Sequence, residues 1–457
     1  MELLLILVGF TLMVMVLAAP KSASYMMWFA LLCYPHQVNE MVSIPLGVGG
    51  DDFLVSMLFV SVAIRCIFKG KLNFATATRA ALLFSMVEMV SEFTGALTTP
   101  GLMAGAYKVT LKGLVYIMFA FILDNTLDSD RDIKYSMYFM MTAAGFGAIT
   151  AIGQKYAGGV FQIFTPVVAT SQTSIRGGGA FITPGGAGIT MLLMLVLCVC
   201  LLQAKGGFLN RGFVVVVTAM YVGGLGATVA GSSAAGTAAA LGGMALLGRR
   251  RGILLAVLGI GVLIVISLAP FLFEEVAQKL TGPKLVAKLG NRAEIWWNVI
   301  SRPSPYQLLC GQGVAAELGR LGDTPHNGYL YHSFTMGLGG AIWAVWFYWQ
   351  MLFRGRKLSL RPWPGAEAIG RWNMWALLGV AVTNITSNVW EVSFSRYLLY
   401  AAVAYTAAFL EMTSMADESI PVEEEELAAY GDGLPEGLWS EGAYSTAGSI
   451  SAGRPLR

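Results

Sequence analysis

Charge is what this sequence has least of. Only 12% of its 457 residues are Asp, Glu, Lys or Arg, against about 25% in a soluble globular chain. With 56% of residues hydrophobic, no water-soluble fold has enough polar surface to cover the remainder. Histidine is scarcer still, with His36, His326 and His332 alone. No Asp-rich or Cys/His cluster stands at metal-ligand spacing, so no metal or cofactor site is read. Of five cysteines, Cys33, Cys66, Cys198 and Cys200 lie in or beside apolar runs and Cys310 in a long polar loop. That distribution gives no disulfide framework. A net charge of +3, dispersed over short loops, gives no footprint for nucleic acid.

What fills the chain instead is apolar runs of membrane length. A spanning helix needs roughly 20 mainly apolar residues, and candidates fall at 2–18, 23–36, 52–67, 80–99, 108–124, 135–152, 187–204, 212–229, 232–247, 252–270, 329–353, 372–388 and 397–412. The second and ninth are short, so the count is 12 or 13 and the side of the N-terminus stays open. The 54 glycines fit the same class, because small residues let membrane helices approach closely. The first run ends in small residues before Pro20, as a signal peptide does, but Glu2 replaces the usual positive flank, and a retained span is expected.

Basic residues set the orientation. Lys205 with Arg211, the Arg249-Arg250-Arg251 cluster and the segment 354–371 recur at every second loop, which puts them in the cytoplasm and loops 153–185 and 271–328 outside. Lys69, Lys71 and Arg79 suggest another cytoplasmic loop, whereas Lys108 and Lys112 fall on the outer side against the rule. After residue 412 the chain turns acidic and Gly/Ser-rich, and residues 413–457 read as a disordered cytoplasmic tail. The expected fold is an all-α integral membrane protein, a polytopic bundle of about 12 helices over 1–412 with a large, partly helical outer loop.

The loop 271–328 is too long for a connector and carries amphipathic helical patterning around NRAEIWWNVI, so it is expected to fold over the membrane surface. Arg292 opens that stretch, Arg302 follows, GQG (311–313) makes a tight turn, and His326-Asn327 precedes the next span. NRAEIWWNVI, then GQG, then TPHNGYLYHSFTMGLGGAIW resembles the signature of the O-antigen ligase superfamily, which includes O-antigen and exopolysaccharide polymerases. SIRGGGAFITPGGAG (174–188) is similar to the family's Arg-then-Gly segment before a membrane helix, and TVAGSSAAGTAAALGGMALLGRRR (228–251) to its small-residue helix. Two positions depart from the family: Gly185 stands where Asn often follows Pro184, and Ser232-Ser233 where Arg often follows Ser.

The resemblance implies a bacterial inner-membrane glycosyltransferase that works at the periplasmic face without a metal or other cofactor. It would move a glycan from an undecaprenyl-diphosphate carrier to a lipid A-core or glycan acceptor, with the bilayer as its surroundings and no protein partner specified. Such a reaction needs groups that hold two phosphates and one that acts on an acceptor hydroxyl. Arginine suits the first because its planar fork stays charged and pairs bidentately with phosphate oxygens; Arg176 and Arg292 are the candidates, with the glycines after Arg176 able to turn backbone N–H groups toward a phosphate. An imidazole suits the second, and His326 matches the family's central His. Arg302, Asn327, Tyr329 and Trp296 are candidate substrate contacts. Each has a plainer reading: an interfacial His or Arg is often a surface or snorkelling residue, and interfacial Trp is often an anchor.

The rival class is a polytopic transporter or a flippase for lipid-linked oligosaccharides. Glu88 and Glu92 lie one helical turn apart in an apolar run, and Glu391 and Arg396 near a helix end; ionisable groups in such places often mark transport paths. The favoured alternative is that they pair with Lys108, Lys112 or another interior group. A large outer loop carrying Arg and His separates the classes, since a transferase needs one and a transporter does not. The orientation has a direct check. A membrane-impermeant thiol reagent applied to intact spheroplasts is expected to label a cysteine introduced at Ala315 and to miss one at Ser359, and the opposite pattern removes the site assignment along with the topology.

Overall fold

The computed structural model describes residue 14 and residues 16–33, 49–99, 101–157, 168–171, 174–181, 183–204, 206–247, 283–301, 304–314, 326–391 and 393–418. Within them the chain is helical apart from one hairpin. The helices are α1 (Pro20–Cys33), α2 (Gly50–Lys69), α3 (Thr76–Thr98), α4 (Met103–Thr126), α5 (Asp130–Tyr156), α6 (Pro184–Gln203), α7 (Arg211–Thr228), α8 (Gly231–Leu247), α9 (Pro283–Ser301), α10 (Pro305–Cys310), α11 (Gly337–Ser359), α12 (Pro364–Thr383) and α13 (Ser393–Glu418). Six of these, α3 to α7 and most of α13, are long and apolar enough to cross a membrane. The expected spans at 2–18, for its greater part, and at 252–270 lie outside the described residues, as does the chain after 418.

Polarity is distributed as a bilayer demands. Large apolar side chains face outward, among them Phe68, Leu97, Val215, Val216, Ile342 and Val345, each more than half exposed. Carboxylates and amides lie inside: Asp52, Glu88, Glu92, Gln154, Asn373 and Asn384 are buried. A soluble protein rarely leaves so much contiguous apolar surface in water, and the chain is a multi-pass membrane protein.

Local sequence sets the helix ends. Ser129 caps α5 by accepting from the Asp132 N–H, and Thr183, with Pro184 in the first turn, caps α6 by accepting from the Gly186 N–H. The Asp124 carboxylate, from the end of α4, accepts from the N–H (2.9 Å) and hydroxyl (2.6 Å) of Thr78, satisfying the first turn of α3 from a neighbouring helix. At the centre stands α6, with a mean hydropathy of 2.5 and 89% of its apolar stretch buried. It packs against α5, α7, α8 and α12. A helix that is apolar on every face has to be enclosed by other helices or by lipid, and this one is enclosed by helices.

Successive spans alternate in direction, so the ends flanked by basic residues gather at one end of the bundle. Arg354 near the end of α11 donates to the Thr76 hydroxyl at the start of α3, the Asn210 N–H before α7 donates to Tyr138 OH in the first half of α5 (2.8 Å), and Gly206 after α6 meets Pro364 at the start of α12. Lys112, which broke the charge rule, is held by Asp51 and Asp52 at the start of α2, so its charge is balanced within the protein.

Two expected spans are shorter than their apolar runs. The run 329–353 begins with a helical turn, Gly328–Leu330, and a π-helical turn, Tyr331–Thr335, before α11 starts at Gly337. Gly337 is left-handed (φ 67°), which glycine adopts without a Cβ penalty, and this reversal splits the run. The run 372–388 stops as a helix at Thr383, because five polar side chains in 383–388, TNITSN, compete for backbone groups. At the other extreme, α13 continues past residue 412 to Glu418.

Small residues bring α8 against α6 and α12. A Cβ at Gly236 would run into Thr383 Oγ1 and the Gly379 carbonyl oxygen, whereas one at Gly242 would meet nothing. Gly236→Ala is therefore expected to lose about 1–3 kcal/mol through overpacking. Gly242→Ala is expected to be neutral or to gain up to about 1 kcal/mol from helix propensity. Thermal unfolding of the two variants in one detergent checks the contrast, and equal transitions would remove the close α8–α12 contact.

Candidate functional site

The segment that carries His326 is built by its neighbour. Asn327 caps the turn Gly328–Leu330, its Oδ1 accepting from the N–H groups of Tyr329 (3.0 Å) and Leu330 (3.1 Å), while its Nδ2 donates to the Ile385 carbonyl (3.0 Å). His326 itself is half-buried and has φ 44°. A side chain in the left-handed region costs energy and persists only where its surroundings impose it, as often happens at functional sites. Here the constraint is the Asn327 cap and Gly328, whose N–H donates to the carbonyls of Asn384 (2.8 Å) and Ser387 (3.1 Å). A Cβ at Gly328 would collide with the Asn384 side chain.

The loop 384–388 after α12 is the platform for these contacts. Asn384 accepts from the Val389 N–H (3.1 Å) and donates to Tyr348 OH (3.2 Å), which also receives the Trp390 indole N–H (2.7 Å). The same loop meets helix α9, where an Arg292 guanidinium N–H donates to the Thr386 carbonyl (3.1 Å). Arg292 and Trp296, four residues apart, share the inward side of α9 with buried Val299, while Trp297 points out and is 68% exposed. Two chain regions that carry candidate site residues thus reach one set of carbonyl groups.

The hairpin β1 (Val168–Ser171) and β2 (Ser174–Arg176) pairs antiparallel, with Val168 opposite Arg176. It ends at the same end of the bundle as the loop 384–388. The Gly177 N–H donates to Ala227 at the end of α7 (3.2 Å), and the Thr383 hydroxyl donates to the Ser232 carbonyl at the start of α8 (3.4 Å), four residues beyond the end of α7. Two of the three glycine N–H groups after Arg176 are engaged within the protein rather than turned toward a phosphate. Gly177 N–H is taken by Ala227, and Gly178 N–H by Gln154 Oε1 (3.0 Å). Gly177 lets this segment lie against α5, where a Cβ would run into the Ala151 carbonyl.

Beneath the loops lies a buried ionic cluster. Arg396 forms a bidentate pair with Glu88, through Nη1 to Oε2 at 3.0 Å and Nη2 to Oε1 at 2.9 Å, and its guanidinium lies over the rings of Phe84 (4.9 Å) and Tyr116 (5.0 Å). Tyr331 OH donates to Glu88 Oε1 (3.0 Å) and accepts from Arg396 Nη2 (3.3 Å). Arg396 Nε donates to the Trp390 carbonyl. One turn along α3, Glu92 accepts from the Val314 N–H just after the GQG turn, in which Gly311 (φ 89°) and Gly313 (φ 77°) are both left-handed. Neither expected lysine is the partner of Glu88: that partner is Arg396, the interior group, while Lys112 pairs with Asp51 and Asp52.

The expected site residues therefore divide. Arg292, Trp296, His326, Asn327 and Tyr329 lie on the two segments that meet or flank the loop 384–388, Tyr329 OH donating to the Ala381 carbonyl (2.8 Å). For Arg176 the backbone is described but not the side chain, and Arg302 lies outside the described residues. The loop 384–388 and Tyr348 were missed by sequence reasoning. The signal was present in TNITSN, a polar run that a hydropathy window absorbs into the preceding span. His332, five residues before Gly337, is buried with neither ring nitrogen hydrogen-bonded among the described residues, boxed by Phe84, Trp343, Tyr348 and Trp390. Compared with known proteins, the chain matches no family model and no curated relative.

Proposed function

We propose that the protein is a membrane glycosyltransferase of the O-antigen ligase and polymerase type. It takes a glycan from an undecaprenyl-diphosphate carrier and joins it to a lipid A-core or glycan acceptor at the periplasmic face of a bacterial inner membrane, within a bundle of about 12 spans. The observation that carries this reading is the approach of the Arg292 helix and the His326–Asn327 turn to the one loop 384–388. The end of the hairpin at Arg176 lies at the same end of the bundle.

In this reading Arg292 and Arg176 hold the diphosphate and His326 takes or shares the proton of the acceptor hydroxyl. Arg292 is suited to it because its bond to Thr386 orients the fork, and a fixed fork recognises phosphate oxygens by geometry as well as charge. Asn327, whose amide is engaged at both ends with backbone, serves to hold His326 in place. Tyr329 and Trp296 are the substrate contacts, Trp296 through stacking of its ring on a sugar. The transporter reading draws less support, since Glu88 and Arg396 are closed on each other and on Tyr331.

The left-handed backbone of His326 allows function and folding to be tested separately. Glycine accepts φ 44° without strain, so His326→Gly is expected to unfold within about 1 kcal/mol of the parent. Its glycan transfer is expected to fall roughly 10²- to 10⁴-fold, as for a lost general base. His326→Gln, which hydrogen-bonds but cannot act as a base, is expected to share that loss while still binding the lipid donor; transfer at the parental rate by a folded Gln variant would sink the base assignment.

For the donor, Arg292→Ala is expected to weaken binding of the diphosphate lipid strongly. Arg292→Lys is expected to restore only part of it, because a point charge lacks the fork. Direct binding measurements decide this: a Lys variant equal to the parent would reduce the role to simple charge attraction.

A further inference from the structure

The two segments that meet at the candidate site are both fastened from below to one buried ion pair. On one side, Tyr331 belongs to the π-helical turn that follows His326–Asn327, its N–H donating to the Asn327 carbonyl (3.0 Å) and its hydroxyl to Glu88 (3.0 Å). On the other, the Trp390 carbonyl, in the turn Val389–Glu391 that follows the loop 384–388, receives Arg396 Nε. Glu88 stands in the middle of α3 and Arg396 in the first turn of α13. A guanidinium has its donors in one rigid plane. Arg396 uses Nη1 and Nη2 on Glu88 and Nε on Trp390, so the positions of helix α3 and of the loop turn are set by a single planar group.

Holding α3 to α13 alone would need only the pair. The link to Tyr331 and the link to Trp390 do something different: beneath the direct bonds from Asn327 and Gly328 to the loop 384–388, they tie each of the two segments to the same interior point. Neither Glu88, Arg396 nor Tyr331 reaches the surface, with exposures of 2%, 7% and 2%, so none of them touches a substrate there. Their effect on a reaction has to pass through His326, Asn327 and the loop 384–388.

We propose that Glu88, Arg396 and Tyr331 form a positioning cluster that holds the His326 turn and the loop that receives Arg292 at a fixed spacing, in support of the direct bonds between them. The consequence for catalysis rests on the glycosyltransferase reading above; the spacing itself does not.

Amide hydrogen exchange on the full-length protein in nanodiscs tests the spacing without any substrate. Tyr331→Phe keeps the ring and the ion pair and removes one hydroxyl. It is expected to speed exchange in 326–336 about tenfold, the factor for one lost buried hydrogen bond, with α5 to α8 unchanged. Arg396→Lys keeps the charge but loses the planar fork, and is expected to speed exchange in 384–391 as well. Unchanged exchange in 326–336 of Tyr331→Phe overturns the proposal, and this milder variant decides the matter even if Arg396→Lys does not fold. Transfer kinetics are the second arm. Tyr331→Phe is expected to lower kcat severalfold with KM for the lipid donor held. Faster exchange with kcat unaltered would leave the cluster a scaffold and overturn its positioning role. If the parent itself shows no transfer, the glycosyltransferase reading fails, and the exchange result still decides the spacing.

Discussion

A charge inside a bilayer has to find its opposite inside the protein. Glu88 and Arg396 meet that constraint beneath the His326–Asn327 turn and the loop 384–388, with two parallel hydrogen bonds, a tyrosine hydroxyl and two aromatic faces around the guanidinium. Low local dielectric strengthens each of these contacts and makes the loss of any one partner costly, about 3–5 kcal/mol when one member of a buried pair is removed. A pair so constrained tolerates few geometries. The helices that carry it, and the irregular turns attached to it, are fixed as a consequence.

The rest of the interior obeys the same rule with weaker groups. Asp124 substitutes for the missing cap of α3, Gln154 and Thr150 satisfy backbone N–H groups of the segment after the hairpin, and Asn384 joins three pieces of chain through one amide. Non-helical backbone at membrane depth is tolerated where protein buries it and supplies its hydrogen bonds. The π-helical turn Tyr331–Thr335 is buried by protein and supplied with hydrogen bonds in the same way. Its Thr335 carbonyl receives the N–H groups of Gln312 and Gly313 (3.0 Å each), so the GQG turn and the reversal at Gly337 complete each other.

Much of this was legible in the sequence, and the failures have physical causes. Helices α3 to α8 follow their apolar runs because hydropathy and span length act through local composition. The helical patterning around Arg292 gave α9, although the helix begins earlier, at Pro283. What hydropathy could not see is where an apolar run stops being a helix. Tyr331 and His332 are apolar enough in company to extend a window, yet the turn that holds them is set by Asn327, Gly337 and the distant Glu88. The Glu88–Arg396 partnership was invisible for the same reason: three hundred and eight residues separate its members, and Lys112 was the nearer candidate in sequence. The strands β1 and β2 leave no readable alternation in the sequence because they are only four and three residues long.

The enclosure of α6 carries a consequence for how the protein is made. The helix is apolar enough to enter lipid unaided as it leaves the ribosome, yet in the finished bundle it is hidden from lipid by α5 and α7 on one hand and by α8 and α12 on the other. The last of these ends at Thr383, long after α6 itself is complete. Until then one flank of α6 stays against acyl chains, and closing the bundle means displacing them. The span of highest mean hydropathy among the described residues is thus inserted early and covered late, and the loop 384–388 takes its place only when that cover is in position.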